Sequence, residues 1–304
     1  MSDFFRKMLD KHFSKVKFWN KSLWKGYLSF IAVFSSIITL ISFFRTAKDF
    51  RIASKSGVFF YIFFLVAVFL HNWWKANRAE SAFLKINNTH VEIVIDDIFK
   101  LLDKDPKERS GECAVIAVND YYDDNVDNRI VAEITLHGKY VNRIKKDGKL
   151  EALNLIIDND EILNEDGNWE AVPERTETKK RRYKIGSVLE FESYILTAFT
   201  KFDENNKAFL SAEDYMEFWM RFWNNIDTIY AGRTINIPLM GAGITRFRNG
   251  KPTKQQLLET MLWSMKVSGF HNTYGNKKIR FIIYKDDASE INFYRLQHEM
   301  NLEQ

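Results

Sequence analysis

Two uncharged apolar runs near the N-terminus constrain this chain more than any other feature. Residues 26–44 read GYLSFIAVFSSIITLISFF. Residues 58–70 read VFFYIFFLVAVFL and continue through His71 and Asn72 to Trp73 and Trp74. At 1.5 Å per helical residue the first run spans about 28 Å, close to the hydrocarbon thickness of a bilayer. The second is shorter and reaches across only with its aromatic flank. Residues 45–56 alone separate the runs, so an antiparallel transmembrane hairpin is expected over residues 26–81, with spans at about 26–44 and 58–74. A buried core helix or a signal sequence also produces one such run. A signal's apolar region is about 7–15 residues and ends in a small-residue cleavage site, whereas here a second run follows.

Flanking cations predict the orientation. Arg6, Lys7, Lys11, Lys15, Lys17, Lys21 and Lys25 precede the first run, and Lys75, Arg78 and Lys85 follow the second. Together they outweigh Arg45, Lys48, Arg51 and Lys55 in the loop, which places both termini in the cytoplasm. Trp19, Trp24, Tyr27, Trp73 and Trp74 predict one aromatic belt at the same membrane face. Within residues 1–25, Phe5, Leu9, Phe13 and Val16 recur at helical spacing, which predicts a basic amphipathic segment suited to the headgroup plane. Lys plus Arg total 44 against 40 Asp plus Glu, and the excess of +4 sits beside the apolar runs. That distribution suits a lipid bilayer with anionic headgroups, and no nucleic-acid partner is expected. The single cysteine, Cys113, excludes a disulfide within the chain and a cysteine-based metal site, and reads as a buried thiol.

Residues 82–304 read as one α/β domain. Residues 91–95, the fully apolar 113–118, 187–191, 194–202, 234–238 and 278–284 have strand character. Ser211-Ala212-Glu213-Asp214 and Thr253-Lys254-Gln255-Gln256 are capping boxes. They open helices that run to about Tyr230 and Gly269, and a last helix is expected over residues 289–300. Residues 140–182 are polar and charged and read as an insertion with little core of its own. Apolar strands alternating with helices imply a mostly parallel mixed sheet covered on both faces, with a ligand crevice at the strands' carboxyl ends.

Chemistry concentrates in INIPLMGAGITRF, residues 235–247. A buried strand ends at Pro238, and Gly241 and Gly243 then flank Ala242. Such a loop is either a phosphate cradle, whose glycines let backbone N–H groups converge, or a tight turn. No Ser/His/Asp set and no metal-ligand spacing stands out, and the isolated His137 and His271 read as core or surface histidines. No catalytic residue, metal or cofactor is expected.

The segment from Pro238 through Leu239, Met240, Gly241, Ala242, Gly243 and Ile244 to Thr245 resembles the second phosphate-binding loop of macro domains, which wraps an ADP-ribose diphosphate. HVEIVIDDIF (90–99) resembles their first strand. On that resemblance Asp97 falls where an aspartate contacts adenine, beside Ile98, although Asp97 also suits a turn cap. ECAVIAVN (112–119) resembles the next strand. It places Asn119 near the distal ribose, although Asn119 also suits a backbone-satisfying strand end. DDNVDNRI (123–130) stands in the place of the first glycine loop but has no glycine, with Val126 and Ile130 in register. Arg246 and Arg248 either flank the diphosphate or form a solvated edge.

A two-span hairpin followed by a macro-like α/β/α sandwich resembles the membrane effectors of type II Thoeris anti-phage systems. The resemblance implies a bacterial inner-membrane protein and a partner TIR-domain enzyme. It further implies a diffusible signal nucleotide, histidine–ADP-ribose or a related ADP-ribose conjugate. Ligand-induced homo-oligomerisation and membrane disruption, ending in cell death or growth arrest, are implied as well. It implies a binding module, with a membrane-tethered ADP-ribosyl hydrolase as the alternative. Asp123 or Asp124, with Asn125, is expected to pair with the cationic α-ammonium of the conjugate.

Overall fold

The computed structural model describes residues 13–44, 55–102, 111–177, 179–203, 207–229, 231–271 and 278–300. These divide into two units, Met1–Ala82 with Asn292–Asn301, and Phe83–Ile291 with Leu302–Gln304. Phe5 and Leu9 of the expected amphipathic segment and most of the basic loop between the apolar runs lie outside the described residues.

The first unit is built on helices α1 (Lys21–Phe44) and α2 (Lys55–Asn77). Both are long and apolar enough to cross a membrane. They run antiparallel: Tyr27 Oη donates to the Leu65 carbonyl at 2.9 Å, and the rings of Phe34 and Phe64 lie 5.4 Å apart. Asn77 ties the base together, accepting from Val16 N at 2.8 Å, while Trp73 Nε1 donates to Val16 O at 2.7 Å. Asn292 caps a short terminal helix, α8 (Phe293–His298). Asn292 Nδ2 also donates to Lys15 O at 2.5 Å, and Asn20 Nδ2 donates to Glu299 Oε1 at 2.6 Å. The chain's last helix therefore groups with the apolar hairpin. This corrects its expected place in the sheet domain, and it is shorter than residues 289–300 because a 3-10 turn, Ala288–Glu290, precedes it.

The second unit is a mixed sheet of β1 (Ser81–Ile86), β2 (Thr89–Ile95), β3 (Glu112–Asn119), β6 (Val188–Phe191), β7 (Tyr194–Phe202), β8 (Ala208–Leu210), β9 (Thr234–Pro238), β10 (Arg246–Phe247) and β11 (Lys278–Ile283). The strand order is β1-β2-β11-β9-β3-β7-β8-β10, with β6 on β7. β2, β11, β9, β3 and β7 are mutually parallel. A separate hairpin joins β4 (Trp169–Ala171) and β5 (Arg181–Tyr183).

Period-two alternation sends the strand side chains to opposite faces. On one face Ala114, Ile116, Val118 and Leu196 pack against α4 (Leu136–Lys146) and α5 (Leu150–Asn159). On the other, α6 (Ala212–Ile229) and α7 (Lys254–Ser268) supply an aromatic layer, with Phe199 4.9 Å from Phe218 and Trp223 Nε1 donating to Ser264 Oγ at 3.0 Å. Thr253 and Gln256 form the expected capping box of α7, and Gly269 ends it in the left-handed region.

Residues 140–182, expected to hold little core of their own, contribute substantially to the core. Tyr140, Val141, Ile144, Leu153, Ile157 and Leu163 are all buried in the core of this face. Together they complete the second helical layer of the sandwich.

Candidate functional site

The parallel strands end at one edge, and a cleft of about 400 Å³ opens there. That volume and position suit a small-molecule site of an open α/β sheet. Asp96 and Asp97 follow β2, Asn119 closes β3, Pro238 closes β9, and Tyr284 follows β11, and all line the cleft. Ile98 begins the short helix α3 (Ile98–Leu102) and lines it too.

One set of donors comes from the glycine loop, Leu239 to Thr245, all of which lines the cleft. Gly241 has φ +83°, where a side chain is strained, and a Cβ there would stand 3.2 Å from Phe247 Cζ. A Cβ added at Gly243 would meet open space. Lys251 Nζ donates to the Ala242 carbonyl at 2.7 Å and also to the Gly243 carbonyl. In a trans peptide the following N–H points opposite to the carbonyl. The N–H groups of Gly243 and Ile244 are therefore turned away from Lys251. Among the described residues, the N–H groups of Gly243, Ile244 and Thr245 have no backbone acceptor.

The second set comes from the N-terminus of α4. Thr135 Oγ1 accepts from Gly138 N at 3.0 Å, and Thr135, Leu136 and His137 line the cleft. The first N–H groups of this 11-residue helix, with the positive end of its dipole, favour an anion. Gly138 is required there, because a Cβ would lie 2.3 Å from Ala132 O. The His137 ring is buried and hydrogen-bonded to the Asp123 backbone. Burial lowers its pKa to about 4, so it is neutral at physiological pH.

Asp97, Ile98, Asn119 and the run from Pro238 to Thr245 thus meet around one cleft. Asp97 Oδ1 accepts from Phe99 N at 3.0 Å, and so caps a turn while facing the cleft. Asn119 Oδ1 accepts from the N–H groups of Tyr121 (3.2 Å) and Asp123 (3.1 Å), so its amide also holds the strand end.

Asp123, Asp124, Asn125 and Val126 do not line the cleft, which corrects their expected place. Asp123 is buried in a bidentate pair with Arg175, at 3.0 and 2.7 Å, and also accepts from Asn119 Nδ2 at 2.9 Å. The Arg175 guanidinium lies 3.6 Å from the ring centroid of Tyr121. Asp124 accepts from Asn154 Nδ2 at 2.7 Å, with Lys179 Nζ at 3.5 Å. Asn125 donates to Asp127 at 2.9 Å, and Val126 packs on the core. A buried acid, Asp123, and a half-buried one, Asp124, would be costly without partners, and the cations Arg175 and Lys179 on a later segment supply them. The loop that does face the cleft runs from Ile130 to Thr135. Its sequence signal was the helix-capping threonine ahead of Leu136. Ile134, Ile244 and Tyr284 form an apolar rim, 73%, 61% and 45% exposed.

The chain is similar in sequence to known proteins. The profile of the family described as Thoeris protein ThsA, Macro domain, matches residues 91–284. The Thoeris protein ThsA of Bacillus amyloliquefaciens (strain Y2) is 35% identical over 215 residues, covering 70% of this chain and 69% of that protein. Solved structures of two mutants of the Oceanobacillus iheyensis macrodomain align at 12% and 14% identity with TM-scores of 0.40 and 0.46. These alignments cover 71% and 72% of this chain and 91% and 96% of the macrodomain chains. By its family profile and its 35% identity to the Bacillus amyloliquefaciens protein, the chain belongs to the macro-domain family of Thoeris ThsA proteins.

Proposed function

We propose that this protein is a membrane-anchored effector of anti-phage defence, and that its macro domain is a receptor for an ADP-ribose-derived signal. The signal is histidine–ADP-ribose or a close conjugate, made by a TIR-domain enzyme that acts only through this diffusible product. Binding drives homo-oligomerisation, and the assembly disrupts the bacterial inner membrane, ending in death or growth arrest.

One observation carries the receptor reading. The glycine loop after β9 and the N-terminus of α4 bring two independent sets of backbone donors to the same cleft. A diphosphate carries enough charge and enough oxygens to engage both. Asp97 stands at the β2 end, where a carboxylate suits an exocyclic amine. The neutral, buried His137 is already bonded to backbone, which favours binding over acid–base catalysis. The membrane reading is supported by the outer faces of the hairpin. Val33, Leu40, Phe59, Phe60 and Phe63 are 62%, 60%, 67%, 68% and 64% exposed. Such a surface suits hydrocarbon rather than water.

Calorimetric titration of the full-length protein in lipid nanodiscs, with ADP-ribose and with its histidine conjugate, tests the receptor. Mass spectrometry of the recovered ligand tests turnover. Intact ligand after binding supports a receptor; released ADP-ribose would establish the hydrolase instead. Absence of binding to either nucleotide would overturn the reading. Leakage of dye-loaded vesicles on adding the ligand tests the membrane step.

A further inference from the structure

At the base of α1 a second, shallower cavity has a different chemistry from the cleft. Its volume is about 620 Å³, and its walls are Trp19, Lys21, Trp24, Lys25, Leu28 and Ala32 together with Ser29. Lys21, Lys25, Leu28 and Ala32 follow helical spacing, so they form a single stripe that begins cationic and becomes apolar. Trp19 and Trp24 stack above it, with centroids 6.2 Å apart and planes 15° from parallel. Trp24 is fixed in place, since Nε1 donates to Phe18 O at 2.9 Å and its ring lies 4.6 Å from Phe69. Trp19 is 81% exposed.

The other face of the helix is already occupied. Leu23 and Tyr27 are buried against the hairpin base, and Asn20 and Ser22 bond to Glu299 and to the His298 carbonyl. The notch lies on the face these contacts leave open. Among the described residues, neither Lys21 nor Lys25 has an acidic partner within ion-pair distance.

We infer that this notch binds one anionic phospholipid of the inner leaflet. Lys21 and Lys25 take the phosphodiester, the stacked indoles sit at the headgroup level, and an acyl chain lies along Leu28 and Ala32. Two compact ammonium charges one turn apart suit a phosphate. Exposed indoles at the end of an apolar helix suit the interface. Free inorganic phosphate satisfies the lysines but leaves the indoles and Leu28 uncovered, so the proposal commits to a lipid. It rests on the membrane reading of the hairpin and is independent of the nucleotide cleft.

The test uses the full-length protein. Flotation with phosphatidylcholine vesicles reports insertion. Native mass spectrometry from nanodiscs of mixed phosphatidylcholine and phosphatidylglycerol reports lipid retention. Wild type is expected to float with neutral vesicles and to retain phosphatidylglycerol roughly tenfold over phosphatidylcholine, without competition from millimolar phosphate. The double variant Lys21→Gln/Lys25→Gln should still float but lose that preference. Trp19→Ala should weaken it while leaving both lysines in place. Failure of wild type to float would overturn the membrane reading and the notch together. Flotation with no lipid preference, with a preference that survives the double variant, or with displacement by phosphate would overturn the notch alone.

Discussion

Gly241 and Gly243 separate what the glycine loop does for the fold from what it does for a ligand. Gly243 has open space at its Cβ position, so alanine there should be silent for stability. Gly241 holds φ +83°, so alanine there adds left-handed strain of about 1–2 kcal/mol and presses on Phe247. In a domain of this size that lowers Tm by roughly 2–8 °C. Gly243→Glu places a carboxylate in the space a phosphate would fill. At about 5 Å and an effective dielectric near 20, each like-charge pair costs about 3 kcal/mol, or a few hundredfold in affinity. Circular-dichroism melts and calorimetric titration with ADP-ribose measure the two effects. The expected result is a Gly243→Glu variant that melts like wild type and does not bind, beside a Gly241→Ala variant that melts early. Unchanged affinity in Gly243→Glu would remove the loop from the site. Equal melting of the two alanine variants would refute the backbone argument.

The buried titratable groups predict opposing pH effects. Burial lowers His137 to about 4, so its contribution is full above its unfolded value near 6.5 and is lost as pH falls, by roughly 2 kcal/mol between pH 6.5 and 5. Burial raises Asp120 to about 7, so its contribution is full below its unfolded value near 4 and is lost as pH rises towards 7. The wild-type stability profile should therefore be nearly flat from pH 5 to 6.5. His137→Gln should leave stability falling with pH and Asp120→Asn leave it rising, and denaturant titrations across that range measure both slopes. Asp123→Ala strands the buried Arg175 and should cost roughly 3–5 kcal/mol, while Asp123→Asn with Arg175→Met should recover much of that loss in the same assay. A fragment covering residues 83–291 should keep the nucleotide affinity of the full chain in calorimetry but release no dye from vesicles when given the ligand.

Local signals made much of the architecture legible. Residues 194–202 and 234–238 are strands because their apolar runs are buried, and α7 begins and ends where Thr253 and Gly269 say it should. The hairpin was visible because hydropathy needs no tertiary partner. What stayed hidden depends on contacts distant in sequence. The charge partner of Asp123 lies 52 residues away, and nothing in Asp123-Asp124-Asn125 distinguishes an acid facing a ligand from one facing Arg175. His137, Tyr140, Val141 and Ile144 do have helical spacing, but Arg143, Lys145 and Lys146 made their segment read as solvated. The terminal helix joins the hairpin through Asn292 and Lys15, 277 positions apart.

The relocation of Asp123 and Asp124 also reverses an expectation about selectivity. The acids that line the cleft are Asp96 and Asp97 after β2 and Asp287 beyond β11, and β2 and β11 are neighbours at one end of the parallel set. Asp287 is already paired with Lys254 at 2.7 Å. The other end, where β3 and β7 stop and α4 begins, offers helix N–H groups and the exposed Lys139 instead. If adenine takes the Asp97 end, as in the proposed function, an amino acid on the distal ribose meets donors and a cation. That environment suits its α-carboxylate and not its α-ammonium. The conjugate made with histamine keeps the imidazole and the amine but lacks the carboxylate, so it should bind about tenfold more weakly than the histidine conjugate. Lys139→Gln should narrow that gap without changing affinity for ADP-ribose. Competition binding against a labelled nucleotide measures both ratios. A histamine conjugate that binds as tightly as the histidine conjugate would show that the distal end reads the ammonium after all.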